Sequence, residues 1–319
     1  MKNNKSIADI PSVLASRQHR FVRTFKKYGT VYALFIPCAI CLIIFSYIPM
    51  YGIVLAFKDF KNNLGIMGSP WAYPLFKNFS ELFEDPYFLK VLRNTLVISV
   101  LRLAVGFPAP LILALMFNEL KGERFKKTVQ TILYLPNFLS WVILGGIFKK
   151  VLGPDGLLDG VLASLGLVAP PFFSSDAWFI VMLILTEVWK SMGFASIIYS
   201  AAIAGIDQEQ YEAAILDGAN RFQKMRYITI PSISMAVSIQ LIMALSGVLS
   251  AGFDQIFQMY SPVVYDWADI IDTYVYRIGI GSGNYEVATA LGLFKSGVGL
   301  ILILITNKII KRMGGEGIW

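Results

Sequence analysis

The sequence predicts an all-α membrane protein with six transmembrane helices and both termini in the cytoplasm. Three observations carry this expectation. Of 319 residues, 56% are hydrophobic and only 15% charged, with a mean hydropathy of +0.61; a soluble chain carries about a quarter charged residues. The apolar residues gather into six stretches, each near the roughly 20 residues a helix needs to cross a bilayer. Lys and Arg are also shared unequally between alternate connecting segments, 17 on one side against 8 on the other. Basic residues concentrate on the cytoplasmic side of membrane proteins.

The expected spans run Tyr32 to Leu55, Thr95 to Phe117, Val129 to Phe148, Phe179 to Ile203, Ile233 to Tyr260, and Val287 to Ile310. Before them, residues 1–31 form a basic segment with no apolar core, read as a retained cytoplasmic tail and not a cleaved signal. Residues 32–310 form the six-helix transmembrane domain and 311–319 a second cytoplasmic tail. Pro37, Pro49, Pro108 and Pro110 fall within the first two spans and predict kinks there, because proline removes a helical hydrogen bond. With the basic segments inside, the inner face carries +9 and the outer face −3. The net charge of +7 is therefore a topology signal and not a nucleic-acid footprint.

Composition also removes several chemistries. The single histidine, His19, lies in the polar N-terminal segment, which argues against histidine catalysis and histidine-held metal. Cys38 and Cys41 lie in an unbroken apolar run, where a thiolate is costly, so they read as inert thiols. A phosphate-binding Gly-x-x-x-x-Gly-Lys-Ser/Thr loop is missing from the chain, so it does not read as an ATPase.

The longest inner loop, residues 205–231, carries the most specific signal. Asp207 with Gln210 three positions later resembles a capping box. From there Tyr211, Ala214, Ile215, Gly218 and Phe222 recur at helical spacing, which predicts a short amphipathic helix outside the bilayer. Ala213, Ala214 and Gly218 would let another surface approach its backbone. An interfacial helix lying on lipid is the alternative. Glu209, Glu212 and Asp217 would then face anionic headgroups, so a protein partner fits better.

Glu212-Ala213-Ala214, Asp217-Gly218-Ala219 and Ile228-Thr229-Ile230-Pro231 resemble the EAA loop of binding-protein-dependent ABC importer permeases, Ile230 replacing the usual Leu. Further stretches narrow the resemblance to the sugar type, in the maltose-permease-like superfamily and its LplB-like polysaccharide permease group. These are Tyr51 to Phe60, Gly68 to Trp71, Arg93 to Leu96, Tyr134 to Pro136, Asp269 to Arg277, Gly292 to Ser296, and Gly315 to Trp319.

This resemblance implies an ABC importer type I permease fold in a bacterial cytoplasmic membrane. It implies a coupling helix in which Tyr211, Glu212, Ala213, Ala214, Asp217 and Gly218 dock a separate ATPase. Implied partners are a second permease subunit, giving a heterodimer, a dimer of ATP-binding subunits and an extracellular or periplasmic solute-binding protein. ATP and Mg would sit on the ATPase, with no cofactor on this chain, and the substrate would be an oligosaccharide or polysaccharide fragment. Another small polar solute such as glycerol phosphate is the alternative substrate. A secondary transporter, a channel and a membrane enzyme are less consistent with six spans, a docking loop and scarce catalytic groups.

Charges within spans are the default candidates for function. They are Arg102, Glu187, Lys190, Asp254 and Lys295. Glu187 and Lys190 are three apart and are expected to neutralise each other on one helix face, while Arg102 and Lys295 could snorkel or join helices. Sugar-binding chemistry, aromatic faces with amides and carboxylates, is supplied by Asn137, Trp141, Glu187, Trp189, Lys190, Asp254, Gln255 and Gln258. Helix packing and an interfacial aromatic belt are the competing role for each. A straight fifth span would place Asp254 near the outer membrane face, about 34 Å from Pro231 at 1.5 Å per residue. Trp71, Tyr73, Phe172, Phe173, Trp178, Tyr265 and Trp267 in the outer loops suggest a landing surface for the binding protein, or interface anchors.

Overall fold

A computed structural model describes residues 28–120 and 122–312. His19, most of the basic N-terminal segment and the Gly315 to Trp319 ending lie outside the described residues. Every regular element among the described residues is helical, apart from one isolated antiparallel bridge between Lys58 and Trp71.

Of the described residues, those up to Val54 form one unit and those from Leu55 onward another. The first contributes most of the span Gly29–Phe57. Its winding passes from α-helix to a π turn at Ile43–Tyr47 and then to 3-10 turns from Ile48. The change coincides with Pro49, which has no N–H to continue the regular ladder. In the second unit, Pro86–Glu119, Asp176–Ala204 and Tyr285–Ile309 are long, apolar helices that serve as the second, fourth and sixth spans. Pro108 opens a new helical segment just after Gly106, where the second span was expected to bend.

The third and fifth spans are broken, not continuous. Glu123–Phe138 and Trp141–Ser164 meet at 102°. Pro136 lies in a 3-10 turn there, and the Ser140 side chain caps the next helix by accepting from the Ile143 N–H at 3.3 Å. Arg221–Ser232 and Ser234–Leu245 meet at 64°. Beyond them Ser234–Ser246 ends, a 3-10 turn covers Val248–Ser250, and Ala251 and Gly252 are both left-handed, at φ +42° and +81°. A short helix, Phe253–Met259, follows. The straight-helix position of Asp254 is thereby overturned, because two left-handed residues precede it.

The core is built on the fourth span. Phe179, Met182 and Leu183 pack with Ile98 of the second span and with Ile256 and Met259 beyond the break. Nearer the other end, Tyr199 and Ile203 pack with Ala114 and Ile233. Gly193 lets the third and fourth spans touch: a Cβ there would lie 2.0 Å from the Leu133 carbonyl oxygen.

Candidate functional site

The inner loop forms two short helices where one was expected. Asp207 caps Gln208–Leu216 by accepting from the Glu209 N–H at 3.0 Å, but the reciprocal bond from Gln210 is not made. Gly218, at φ +76°, then stops the helix. The Ala219 N–H reaches the Ala214 carbonyl at 2.9 Å and the Gly218 N–H reaches that of Ile215 at 3.0 Å, closing a Schellman turn. Gly218 therefore terminates the helix; it does not extend an apolar face to Phe222. The helix restarts at Arg221 behind a full capping box, with Asn220 accepting from the Gln223 N–H and the Gln223 side chain accepting from the Asn220 N–H.

Glu212, Ala213, Asp217 and Gly218 are exposed on this loop, and Ala214 is half-buried. Tyr211 instead turns inward, its hydroxyl 2.9 Å from that of Thr229. The most exposed large side chain of the loop is Leu216, at 88%, followed by Tyr227 at 72% and Phe222 at 66%. Leu216 has no periodic partner to mark it in the sequence. Only its flanking acids and glycine signal an unburied helix end.

Within the spans, the charges pair differently from expectation. Glu187 accepts from the Arg102 guanidinium at 3.0 Å, and Lys190 donates to the Asn137 carbonyl at 2.9 Å. The i,i+3 pair of Glu187 and Lys190 is displaced because the second span offers Glu187 a guanidinium donor. Lys295 does not snorkel, its ammonium lying 2.5 and 2.7 Å from the two oxygens of Asp272.

Arg102 is the hub of the broken fifth span. Its side chain is only 14% exposed, and it donates to Gln255 as well as to Glu187. Gln255 is fully buried and donates to the Leu183 carbonyl at 2.9 Å and the Thr186 hydroxyl at 2.7 Å. A Cβ at Gly252 would lie 1.4 Å from Arg102 Nη1, so glycine is required there both for φ and for space. Ser99, one turn earlier, donates to the Val248 carbonyl.

A cavity of about 290 Å³ opens beside this hub, lined by Arg102, Glu187, Ser99, Ser191, Tyr199 and Gln240 among others. Of the eight proposed route residues only Glu187 lines it, with Gln255 one hydrogen bond behind. Asn137, Trp141 and Lys190 form a separate cluster, the ammonium 5.7 Å from the Trp141 ring. Trp189 packs edge-on against Phe148 at 5.8 Å, and Gln258 lies against Gly145. Asp254 is exposed while its neighbour Gln255 is buried, so the two do not form one polar run. Sequence reasoning left Arg102, Gln240 and Tyr199 out of the route because nothing local marks them as neighbours.

On the expected outer side, the two stretches Arg93 to Leu96 and Asp269 to Arg277 interlock. The buried Asp269 carboxylate accepts from Tyr87 at 2.5 Å, Thr273 at 2.7 Å and Arg277 at 2.5 Å. Asn94 donates to the carbonyls of Asp266 and Asp269, and Arg93 stacks 4.1 Å from the Trp267 ring. A hydrogen bond from Lys90 holds the exposed Asp266 carboxyl below the usual carboxylate range.

These features define a multi-pass transport component. The chain belongs to the family described as binding-protein-dependent transport system inner membrane component, whose pattern matches residues 106–315. It is 40% identical to Protein LplB of Bacillus subtilis, over 98% of each chain. It is also 40% identical to the polygalacturonan/rhamnogalacturonan transport system permease protein YteP of the same organism, over 92% of this chain and 91% of that one. Among solved structures, it matches a chain of a bacterial ABC transporter that imports the acidic polysaccharide alginate. That match has a TM-score of 0.84 and 38% identity, covering 92% of this chain and 99% of that one. A second structure holds the alginate transporter in complex with an alginate pentasaccharide-bound periplasmic protein, again at a TM-score of 0.84, with 37% identity. The chain has the type I permease fold and is the membrane-spanning subunit of an ATP-driven importer, a transport component and not an enzyme.

Proposed function

We propose that this chain forms half of a translocation route for an oligosaccharide derived from a polysaccharide. The observation that carries this reading is full-length similarity, near 40% identity, to permeases whose names specify polysaccharide transport. The cavity beside Arg102 suits such a cargo. Its guanidinium, carboxylate, amide and hydroxyl groups can exchange hydrogen bonds with sugar hydroxyls, which an apolar pocket would leave unpaired.

In this reading a second permease completes the route and a solute-binding protein delivers the glycan from outside a bacterial cytoplasmic membrane. Two ATP-binding subunits dock the loop 205–231 through Glu212, Ala213, Ala214, Asp217 and Gly218, to which we add Leu216. ATP and Mg belong to those subunits and this chain carries no cofactor. Residues 1–31 and 311–319 are the cytoplasmic ends of the permease domain 32–310.

The test is uptake in cells deleted for this chain. Labelled oligosaccharides cut from polygalacturonan and from alginate are offered beside lactose, diacetylchitobiose and glycerol phosphate. Loss of a polysaccharide-derived oligosaccharide, restored by the cloned chain, is the expected result. Loss confined to glycerol phosphate would overturn the substrate reading.

A further inference from the structure

A loop pushed by an ATPase does nothing unless its motion reaches the spans. At one end, helix Gln208–Leu216 is joined to the fourth span by the short turn Gly205 to Asp207, so those two move together. At the other end, the Schellman turn at Gly218, the capping box at Asn220 and a π turn at Met225–Thr229 separate it from the fifth span. A push transmitted along that winding backbone would be absorbed by its turns.

One side-chain bond bypasses them. The Tyr211 hydroxyl lies 2.9 Å from that of Thr229, across 18 residues of sequence. Thr229 is 2% exposed, and its hydroxyl also lies 3.4 Å from the Lys224 carbonyl; either member of the hydroxyl pair can be the donor. The Thr229 carbonyl in turn accepts from the Ile233 N–H at 3.2 Å. Ile233 is buried against Tyr199 and Ile203 at the 64° bend, and the helix beyond it supplies Gln240 and Ala244 to the cavity wall.

We infer that the Tyr211–Thr229 hydroxyl pair is the strut that carries motion of the coupling helix into the fifth span. Tyr211 and Thr229 are positioning residues: they touch neither ATP nor cargo. Tyr211 thereby leaves the docking surface, while Leu216 and the exposed acids stay on it. The inference rests on the permease reading above and adds to it which atoms join loop to span. It also accounts for two residue choices, a tyrosine before Glu212 and a threonine two residues before Pro231, that docking alone does not require.

The experiment uses the complete transporter, purified with its partner subunits, in a background lacking Cys38 and Cys41. Ala244→Cys reports the cavity wall through its rate of labelling by a small thiol reagent, nucleotide-free and after trapping with ATP and vanadate. The unmodified strut should give a change of rate between the two states. Thr229→Val removes one hydroxyl at nearly constant shape, and Tyr211→Phe removes the other. Each should shrink that change about fivefold, the factor one ordinary hydrogen bond carries. The ATPase should copurify at wild-type stoichiometry in both, and Thr229→Ser should restore the response.

A full labelling response in both single variants overturns the strut. Loss of copurified ATPase in Thr229→Val, a residue buried beneath the docking surface and not on it, also overturns it, since the residue would then act in assembly. Failure of the parent chain to copurify with any ATPase overturns the permease reading itself, a separate outcome.

Discussion

At its loop end the fifth span is tied by a neutral pair of hydroxyls, Tyr211 to Thr229. At its break the same span is held by a guanidinium that reaches Glu187 on the fourth span and Gln255 beyond the break. Each region also holds a left-handed glycine, Gly218 in the loop and Gly252 at the break. The surroundings differ: a Cβ at Gly218 would meet open space, whereas one at Gly252 would collide with Arg102. The lesson is that similar backbone geometry serves two purposes. In the loop it ends a helix and leaves the surface open to a partner. At the break it admits a charged side chain against the backbone and fixes the wall of a cavity.

If the break is the rigid end, its charges should dominate stability. Arg102→Ala leaves the fully buried Gln255 and the 30%-exposed Glu187 without their donor, so the loss should approach, from below, the about 3–5 kcal/mol that breaking a fully buried ion pair costs. The expected result is the largest fall in thermal midpoint of the detergent-solubilised complex among all variants named here, with loss of uptake. Arg102→Lys keeps the charge but not the fork and should fall between. Wild-type stability in Arg102→Ala would break the comparison outright.

Gly252→Ala tests the same hub from the backbone side. A non-glycine residue in the left-handed region costs about 1–2 kcal/mol, and the new Cβ also expels the guanidinium from its place. The loss should exceed the strain alone yet remain below that of Arg102→Ala. Combined with Arg102→Ala, the glycine substitution should lose its steric part, so the double variant should be less destabilised than the sum. Strict additivity would mean that the contact carries no energy.

How much of this was legible beforehand follows from the range of each interaction. Six apolar lengths and the loop motif are local and were readable, as was the Asp207 cap. The break in the fifth span was not, because Ala251 and Gly252 lie in an apolar run where small residues are common and nothing local dictates φ. The Arg102 to Glu187 pair joins residues 85 apart. A single sequence shows only that Glu187 and Lys190 share a helix face, and that local spacing pointed to the wrong partner. Gly218 was found as a glycine that matters, but its role as a helix stop depends on the dihedral, which spacing does not reveal.

At the loop end effects should be smaller. Asn220→Ala removes an N-cap and half of a capping box, worth about 1 kcal/mol. Hydrogen exchange of the amides at 221–224 should quicken while the thermal midpoint of the complex moves little. Unaltered exchange there would show that the box does not order the restart of the helix.

The variant expected to disturb the fold least, and the one that best sharpens the contrast, is Gly218→Asn. The close-approach reading requires glycine because any side chain would push the ATPase away; the Schellman turn requires it because φ is +76°. Ala and Asn separate these demands. Alanine adds a small side chain and disfavours the left-handed region, at about 1–2 kcal/mol. Asparagine is bulkier but tolerates that region well. If helix termination is the reason for the glycine, Gly218→Asn should keep ATPase copurification and stimulated hydrolysis near wild type, with Gly218→Ala lower. If close approach is the reason, the order reverses and the larger asparagine does more harm. The measurement is ATP hydrolysis by the purified complex with each variant. The open space around Gly218 within this chain favours the first order. The reverse order would place the docked ATPase directly over Gly218, giving this glycine, like Gly252, a neighbour that leaves no room for a side chain.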